Sequence, residues 1–326
     1  MSRILLTTTG AVASDIVIKE LKKMNHYIVG CNMYPKEWIV DSLNVDSFYK
    51  IPPISNQIEY LEKIKEICKI EKIDFIFPMI DYEIDILIKE REWFDNNDIE
   101  LCISSNKTLG IIRNKKKTAD FINSNCTKIK TIPTKMFSNI DELQWDFPIV
   151  CKPYNGRSSQ GLKYINSIDE WNEFIKSQNV NLEKYIVQPF IEGERVVVEV
   201  VRHPNSKHAV AMTRKELLST PHGCSLTVLL YQEKELEFNS IELAEKLNIA
   251  GDVNFEYILD PKGQYHFIEC NPRFSAGCEF ACIGGYNCVK NHLSCFMDKD
   301  IEPYSFNGKK IIARKYEEYV TFEDEK

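Results

Sequence analysis

The stretch HFIECNPRFSAG, residues 266–277, decides how the rest of the chain is read. Its first residues are apolar enough to be buried, yet Glu269, Asn271 and Arg273 follow at intervals of two. Side chains at i, i+2 and i+4 of an extended strand share one face, so a carboxylate, a carboxamide and a guanidinium are expected to point the same way. A strand-face ion pair between Glu269 and Arg273 is one account of such a face. A cation and anion site is the other, because oxygen ligands suit Mg²⁺ and a guanidinium fork suits a phosphoryl group or carboxylate. Immediately upstream, residues 252–259 read as a strand and residues 260–263 as a turn. The resulting hairpin sets Glu256 on the strand next to Glu269.

Working outward, DFPIVCKPYNGRSSQGLKYI (146–165) reads as two strands around a polar, glycine-bounded loop, with Lys152 on the strand before it. Backbone N–H groups of such a loop can cradle phosphates, although the spacing also fits an ordinary long hairpin. It lacks the GxxxxGK[ST] pattern of a P-loop. Residues 183–201 contain two apolar strands joined by a polar bend, and residues 240–259 a helix followed by a strand. NKKKTADFINSN (114–125) opens a helix with three lysines in its first turn. The helix macrodipole disfavours cations there, so either an anion or a solvated face is expected.

At the amino terminus, RILLTTTG (3–10) is a strand ending in a turn, followed by an amphipathic helix and a second strand. Residues 1–105 are expected to form a small parallel α/β layer. The GxGxxG pattern of dinucleotide sites is missing, which disfavours an NAD-dependent dehydrogenase. Ligands of parallel sheets gather beyond the carboxyl ends of the strands, which nominates Thr8, Thr9, Gly10, Asp81 and Glu83 as the floor of a substrate pocket; turn and capping roles are the alternative.

The chain has 326 residues, enough for two or three packed units, and a formal net charge of −7, which argues against a nucleic-acid or anionic-membrane surface. No apolar stretch approaches the roughly 20 residues that span a bilayer, and no basic leader with a hydrophobic core opens the chain. A cytoplasmic location is expected. Eleven cysteines without a CxxC pair indicate reduced, mostly buried thiols; the run Cys278, Cys282, Cys288, Cys295 reads better as core than as a metal site.

Taken in order, NKKKTADFI, IVCKP with NGRSSQG, YIVQPFIEGE, NFEYIL and FIECNPRFSAG resemble the ATP-grasp superfamily, in particular the branch with carbamoyl-phosphate-synthase-like and pyrrolysine-pathway ligases. The resemblance covers almost the whole chain. It implies an α/β protein: a Rossmann-like preATP-grasp domain (1–105), a small ATP-grasp subdomain with the glycine loop (106–186) and a large subdomain with the metal site (187–326), α+β in the ATP-grasp part. It implies that Lys115, Lys152, Asn155, Gly156, Ser158, Ser159 and Gly161 serve the ATP phosphates. Gln188, Pro189, Phe190 and Ile191 would form the adenine hinge, and Glu194 would meet the ribose, in a register where the family often has the acid at the place of Arg195. Glu256, Glu269 and Asn271 resemble ligands for Mg²⁺, with Mn²⁺ as the alternative ion, and Arg273 the group that steadies the transferring phosphoryl. Arg214, Lys215 and Ser225 would orient a substrate carboxylate.

The activity so implied is ATP-dependent carboxylate–amine ligation through an acylphosphate, releasing ADP and phosphate. Small-molecule carboxylate and amine substrates are implied, an amino acid among them, and a homodimer is compatible. A phosphotransferase acting on a carboxylate or carbamate, or a non-catalytic nucleotide-binding module, are the rival readings.

Overall fold

A computed structural model describes residues 1–139, 145–157, 159–176, 181–221 and 223–324 of the chain. The amino-terminal part is a five-stranded parallel sheet: β1 (Arg3–Leu6), β2 (Tyr27–Asn32), β3 (Ser47–Lys50), β4 (Phe75–Phe77) and β5 (Glu100–Leu101), in the order β3-β2-β1-β4-β5. Its crossovers carry α1 (Ser14–Lys23), α2 (Gln57–Glu71), α3 (Asp81–Leu87) and α4 (Arg91–Asp95). Parallel strands covered on both faces require continuous apolar runs rather than alternation. Ile4, Leu5 and Leu6 of β1 are accordingly all fully buried, Leu5 in one core and its two neighbours in another.

Helices α5 (Asn106–Ile112) and α6 (Lys115–Asn125) follow, then the short strand β6 (Lys130–Thr131). Asn114 caps α6, its side-chain oxygen accepting from the backbone N–H groups of Lys116 and Lys117. The lysine run then divides. Lys116 pairs along the helix with Asp120, while Lys115 turns inward.

A second sheet, ordered β7-β10-β8-β9, is formed by β7 (Lys135–Met136), β8 (Ile149–Pro153), β9 (Lys163–Ile165) and β10 (Tyr185–Pro189), with α7 (Ile168–Lys176) beside it. Trp171, Phe174 and Tyr185 join Ile149, Cys151 and Val187 in its small core. The boundary expected at 186/187 falls inside β10.

The third sheet has seven strands: β11 (Glu194–Arg202), β12 (Ala209–Ser219), β13 (Ser225–Tyr231), β14 (Gly251–Leu259), β15 (Tyr265–Asn271) and β16 (Lys309–Ala313), with β6 in parallel on the outer edge of β15. Helix α8 (Lys234–Lys246) covers one face, where Val196, Val198 and Val200 pack with Leu236, Leu243 and Phe255. Helices α9 (Cys278–Gly284) and α10 (Cys288–Phe296) complete the fold. Cys278, Cys288 and Cys295 are buried core residues. Among the described residues no helix is long and apolar enough to cross a membrane.

One irregularity sets the site. The β14–β15 register runs Glu256 to Glu269 but Tyr257 to Phe267, leaving Ile268 as an extra residue. Such a bulge reverses the facing of everything beyond it. Phe267 therefore stays in the core with Phe255 and Tyr257, while Glu269, two residues later, emerges on the opposite face with Glu256. Without the bulge, Phe267 and Glu269 would share one face, and either a buried aromatic worth roughly 2–3 kcal/mol would be lost or the carboxylate would enter the core.

Candidate nucleotide and metal site

A cleft of about 390 Å³ runs between the second sheet and the β14–β15 hairpin. One end is apolar, walled by Val150, Leu162, Tyr164, Ile258 and the segment from Gln188 to Glu192; the other is charged, with Lys115, Lys152, Arg157, Glu256 and Glu269. Apolar walls beside a cluster of charges suit the base and the phosphates of a nucleotide. The Gln188 amide donates to the Thr134 hydroxyl at 2.7 Å, so this side chain braces the wall. Gly193 follows the hinge because any Cβ there would lie 2.3 Å from the Leu259 carbonyl oxygen. Gly161, at the end of the glycine loop, has φ +72° and would place a Cβ 2.7 Å from the Tyr185 hydroxyl.

The charged end is electrostatically tense. Glu256 and Glu269 face each other in register. Burial, followed by the charge of Glu269, pushes the Glu256 carboxyl above its ordinary range. Burial works against Glu269 as well, yet the ammonium groups of Lys115 and Lys152 outweigh it and hold this carboxyl below its ordinary range. Lys115 sits 2.9 Å from Glu269 and also donates to the Gly156 carbonyl at 2.6 Å. Among the described residues Lys152 makes no close pair; burial lowers it to about 8, with the attraction of Glu269 opposing. Asn271 donates through its amide nitrogen to Glu256 at 3.1 Å and to Asn254 at 3.1 Å.

These residues fit a divalent cation. Two apposed carboxylates, one of them pushed toward its neutral form by burial and then by the other, carry negative charge that the lysines beside Glu269 only partly relieve. A hard cation bound by Glu256, Glu269 and the oxygen of Asn271 would remove that repulsion.

A second cavity of about 150 Å³ adjoins the first and shares Arg195, Ser159, Glu256 and Glu269 with it. Arg214, Glu216, Ser225, Asn271 and Arg273 also line it. Arg214 is locked in place: its guanidinium lies 2.6 Å from Glu199, 3.2 Å from Glu216 and 3.1 Å from the Ser275 hydroxyl. Ser225 donates to Glu216 at 2.8 Å. Arg273 is gripped by Asp81 of the amino-terminal sheet, its Nε and Nη2 each 2.9 Å from one carboxylate oxygen. Burial opposes ionisation of Asp81, but Arg273 and Arg113 outweigh it and keep its carboxyl below the ordinary range.

The structure brings Lys115, Lys152, Gly156, Ser159, Gln188, Pro189, Phe190, Ile191, Glu256 and Glu269 to the cleft, and Arg214, Ser225, Asn271 and Arg273 to the second cavity. Ser158 lies outside the described residues. Several expectations need correction. Glu194 is not in the cleft wall: residues of β11 alternate, Arg195 faces inward, and Glu194 pairs on the opposite face with Lys215 at 2.6 Å. The same alternation removes Lys215 from the substrate side, since Arg214 takes the inner position. Arg214 lines the second cavity, with its guanidinium already held by Glu199 and Glu216. Asn155 is exposed and Gly161 packs against Pro153 and Tyr185; neither lines the cleft.

Among the amino-terminal candidates, only Asp81 reaches the site. Glu83 is fully buried, accepting from Thr7, Thr8, Tyr60 and two backbone N–H groups. The Thr9 hydroxyl serves the Leu6 carbonyl and the Cys31 N–H, and Gly10 packs toward Ile39 and Asn32. These residues tie β1 and β2 to α3. Sequence reasoning passed over Arg157, Glu192, Arg195 and Glu216. Arg195 lies two residues from Val197, the partner of Glu256, which places it on the cleft face, a signal that needs the strand pairing.

The ATP-grasp domain family matches residues 112–277, and the PylC-like N-terminal domain family matches residues 15–102. A carbamoyl-phosphate synthase of Methanobrevibacter smithii is 21% identical over 43% of this chain and 38% of its own length. A D-alanine–D-alanine ligase of Aquifex aeolicus is 24% identical over 39% of this chain and 47% of its own. These matches thus span under half of each curated relative. The biotin carboxylase domain of Hydrogenobacter thermophilus 2-oxoglutarate carboxylase, solved with MgADP and bicarbonate, superposes with TM-score 0.77 at 17% identity, covering 96% of this chain and 74% of that one. The N5-carboxyaminoimidazole ribonucleotide synthetase of Thermotoga maritima gives 0.71 at 17% identity, covering 95% and 80%. With the family match extending across both cavities and the hairpin that carries Glu256 and Glu269, this chain belongs to the ATP-grasp family.

Proposed function

We propose that the protein is an ATP-dependent carboxylate–amine ligase that works through an acylphosphate. The observation that carries this reading is the placement of the apposed Glu256 and Glu269 at the junction of the two cavities, with Lys115 and Lys152 beside them. ATP would lie with its base between Val150, Leu162 and Ile258 and its phosphates toward the lysines. When bound by Glu256, Glu269 and Asn271, Mg²⁺ or Mn²⁺ would neutralise phosphate charge. Lys115 and Lys152 add positive charge along the same path, and Arg273, steadied by Asp81, presents a fixed guanidinium at the second cavity. A carboxylate there would attack the terminal phosphorus, releasing ADP; an amine would then displace phosphate from the acyl carbon, forming the amide. Little proton transfer is asked of the side chains, so positioning and fixed charge carry most of the rate.

The second cavity, about 150 Å³ and lined by paired charges, suits a small polar carboxylate, and we take an amino acid as the first class to test. A homodimer belongs to the same proposal and is checked by sedimentation. The central experiment incubates the purified chain with MgATP and an amino-acid panel while ADP, phosphate, AMP and pyrophosphate are measured. ADP and phosphate released only when carboxylate and amine are both present supports ligation. AMP and pyrophosphate would overturn the acylphosphate route, and ADP formation independent of amine would favour a phosphotransferase.

A further inference from the structure

The cysteines of the carboxyl-terminal helices are not all alike. Cys282, near the end of α9, and Cys288, the first residue of α10, have their sulfurs 3.8 Å apart. Cys288 is buried and its thiol also donates to the Cys278 carbonyl oxygen at 3.6 Å. Cys282 is only half-buried, so one sulfur of the pair is open to solvent and the other stands behind it. The turn that joins them contains Gly284 and Gly285, the latter at φ +108°, and Asn287. Asn287 caps α10 by accepting from the Lys290 N–H, and its amide donates to Glu20 of α1 at 2.7 Å. The fold therefore pins the turn that keeps the two sulfurs in contact.

A disulfide needs its sulfurs about 2.0 Å apart, so these two have to close by about 1.8 Å, a step that falls to side-chain rotation and to the glycines of the turn. The hydrogen bond with Cys288 outweighs burial and holds the Cys282 thiol below its ordinary range, while hydrogen bonding to Cys278 and Cys282, together with burial, pushes Cys288 well above it. The thiolate is the nucleophile, so Cys282 is the attacking sulfur and Cys288 the resolving one. We propose that Cys282 and Cys288 form an oxidisable dithiol, which a peroxide converts to an intramolecular disulfide and a small dithiol reduces again. The Cys282 sulfur attacks one peroxide oxygen, the O–O bond breaks and a sulfenic acid forms. The Cys288 sulfur then attacks that sulfur, the S–O bond breaks, and water leaves with the Cys288 proton. Two thiols thereby give up two electrons and two protons, and hydrogen peroxide becomes two waters. Helix α9 starts directly after Ser275, Ala276 and Gly277, which line the second cavity, so the cross-link would fall on the helix that continues that wall. The assignment does not depend on what the two cavities bind.

The test reduces the full chain, exposes the folded protein to hydrogen peroxide at increasing ratios, blocks remaining thiols with N-ethylmaleimide in denaturant and digests with trypsin. Cleavage after Arg273 and Lys290 releases residues 274–290 as one peptide, which carries Cys278, Cys282 and Cys288. The expected product of this peptide has lost two hydrogens and carries a single maleimide, on Cys278, and fragment ions place the link between Cys282 and Cys288. Dithiothreitol added before blocking should restore three maleimides. Cys282→Ser and Cys288→Ser should each abolish the linked form, and Cys278→Ser should keep it; the wild-type fragment ions decide the matter even where a buried variant fails to fold. A peptide that still takes three maleimides at about tenfold excess of peroxide, a link that includes Cys278, or Cys282 recovered only as sulfinic or sulfonic acid would overturn the proposal.

Discussion

Two groups of buried acids in this molecule differ in how completely their charge is met. Glu83, under the amino-terminal sheet, receives three hydroxyl donors and two backbone N–H groups, so its carboxylate is spent on holding β1, α2 and α3 together. Glu256 and Glu269 face one another with lysines on one side and few donors. Burial alone does not distinguish a structural acid from a functional one. The difference lies in what meets the charge: fixed neutral donors at Glu83, and lysine ammonium groups at Glu269, with Glu256 left above its ordinary range by burial and by its neighbour.

The sharpest way to break that contrast is Glu269→Gln. Mn²⁺ affinity, followed by electron paramagnetic resonance, is expected to fall by on the order of a hundredfold. Retained affinity would show that this pair is structural after all. Glu83→Gln should do the reverse, costing about 1–3 kcal/mol in denaturant unfolding while leaving MgATP affinity within about twofold.

A pH series sharpens the comparison further. Lys152 is lowered to about 8 by burial, so its ammonium is present below that value and lost above it. MgATP affinity should therefore fall as pH rises through about 8, and Lys152→Met should flatten that part of the profile; a flat wild-type profile would remove Lys152 from the phosphate path. The smallest effect is expected at the outer face of β11 and β12. Glu194→Gln and Lys215→Gln should each change stability by no more than about 0.5 kcal/mol and leave nucleotide binding unaltered, because this pair sits near solvent on the face away from the cleft.

Much of this arrangement is legible in residue order. The apolar runs of β1 and β2, the glycine-bounded loop, the cap at Asn114 and the alternation from Glu269 to Asn271 all depend on local propensity and period. Glu194 and Lys215 were misplaced because facing depends on which residue of a neighbouring strand lies opposite. Counting back from Glu256 through its partner Val197 would have selected Arg195, a step that requires the pairing to be known. For Thr9 and Glu83 residue order leaves a pocket-floor role and a turn role both open, because Thr7, Thr8 and Tyr60, which donate to Glu83, and Cys31, which donates to Thr9, come from segments distant in sequence.

By itself the sequence determined the element types, the strand-and-helix order of the family and the chemical identities of Glu256, Glu269, Asn271, Lys115 and Lys152, because these follow from local periodicity and motif spacing. Tertiary structure decided which charges remain available. The bulge at Ile268 turned Glu269 away from the core, Glu199 and Glu216 saturated Arg214, and α3 took hold of Arg157 and Arg273. Electrostatic satisfaction is a property of groups within a few ångströms of one another, and those groups come from residues as far apart as Asp81 and Arg273.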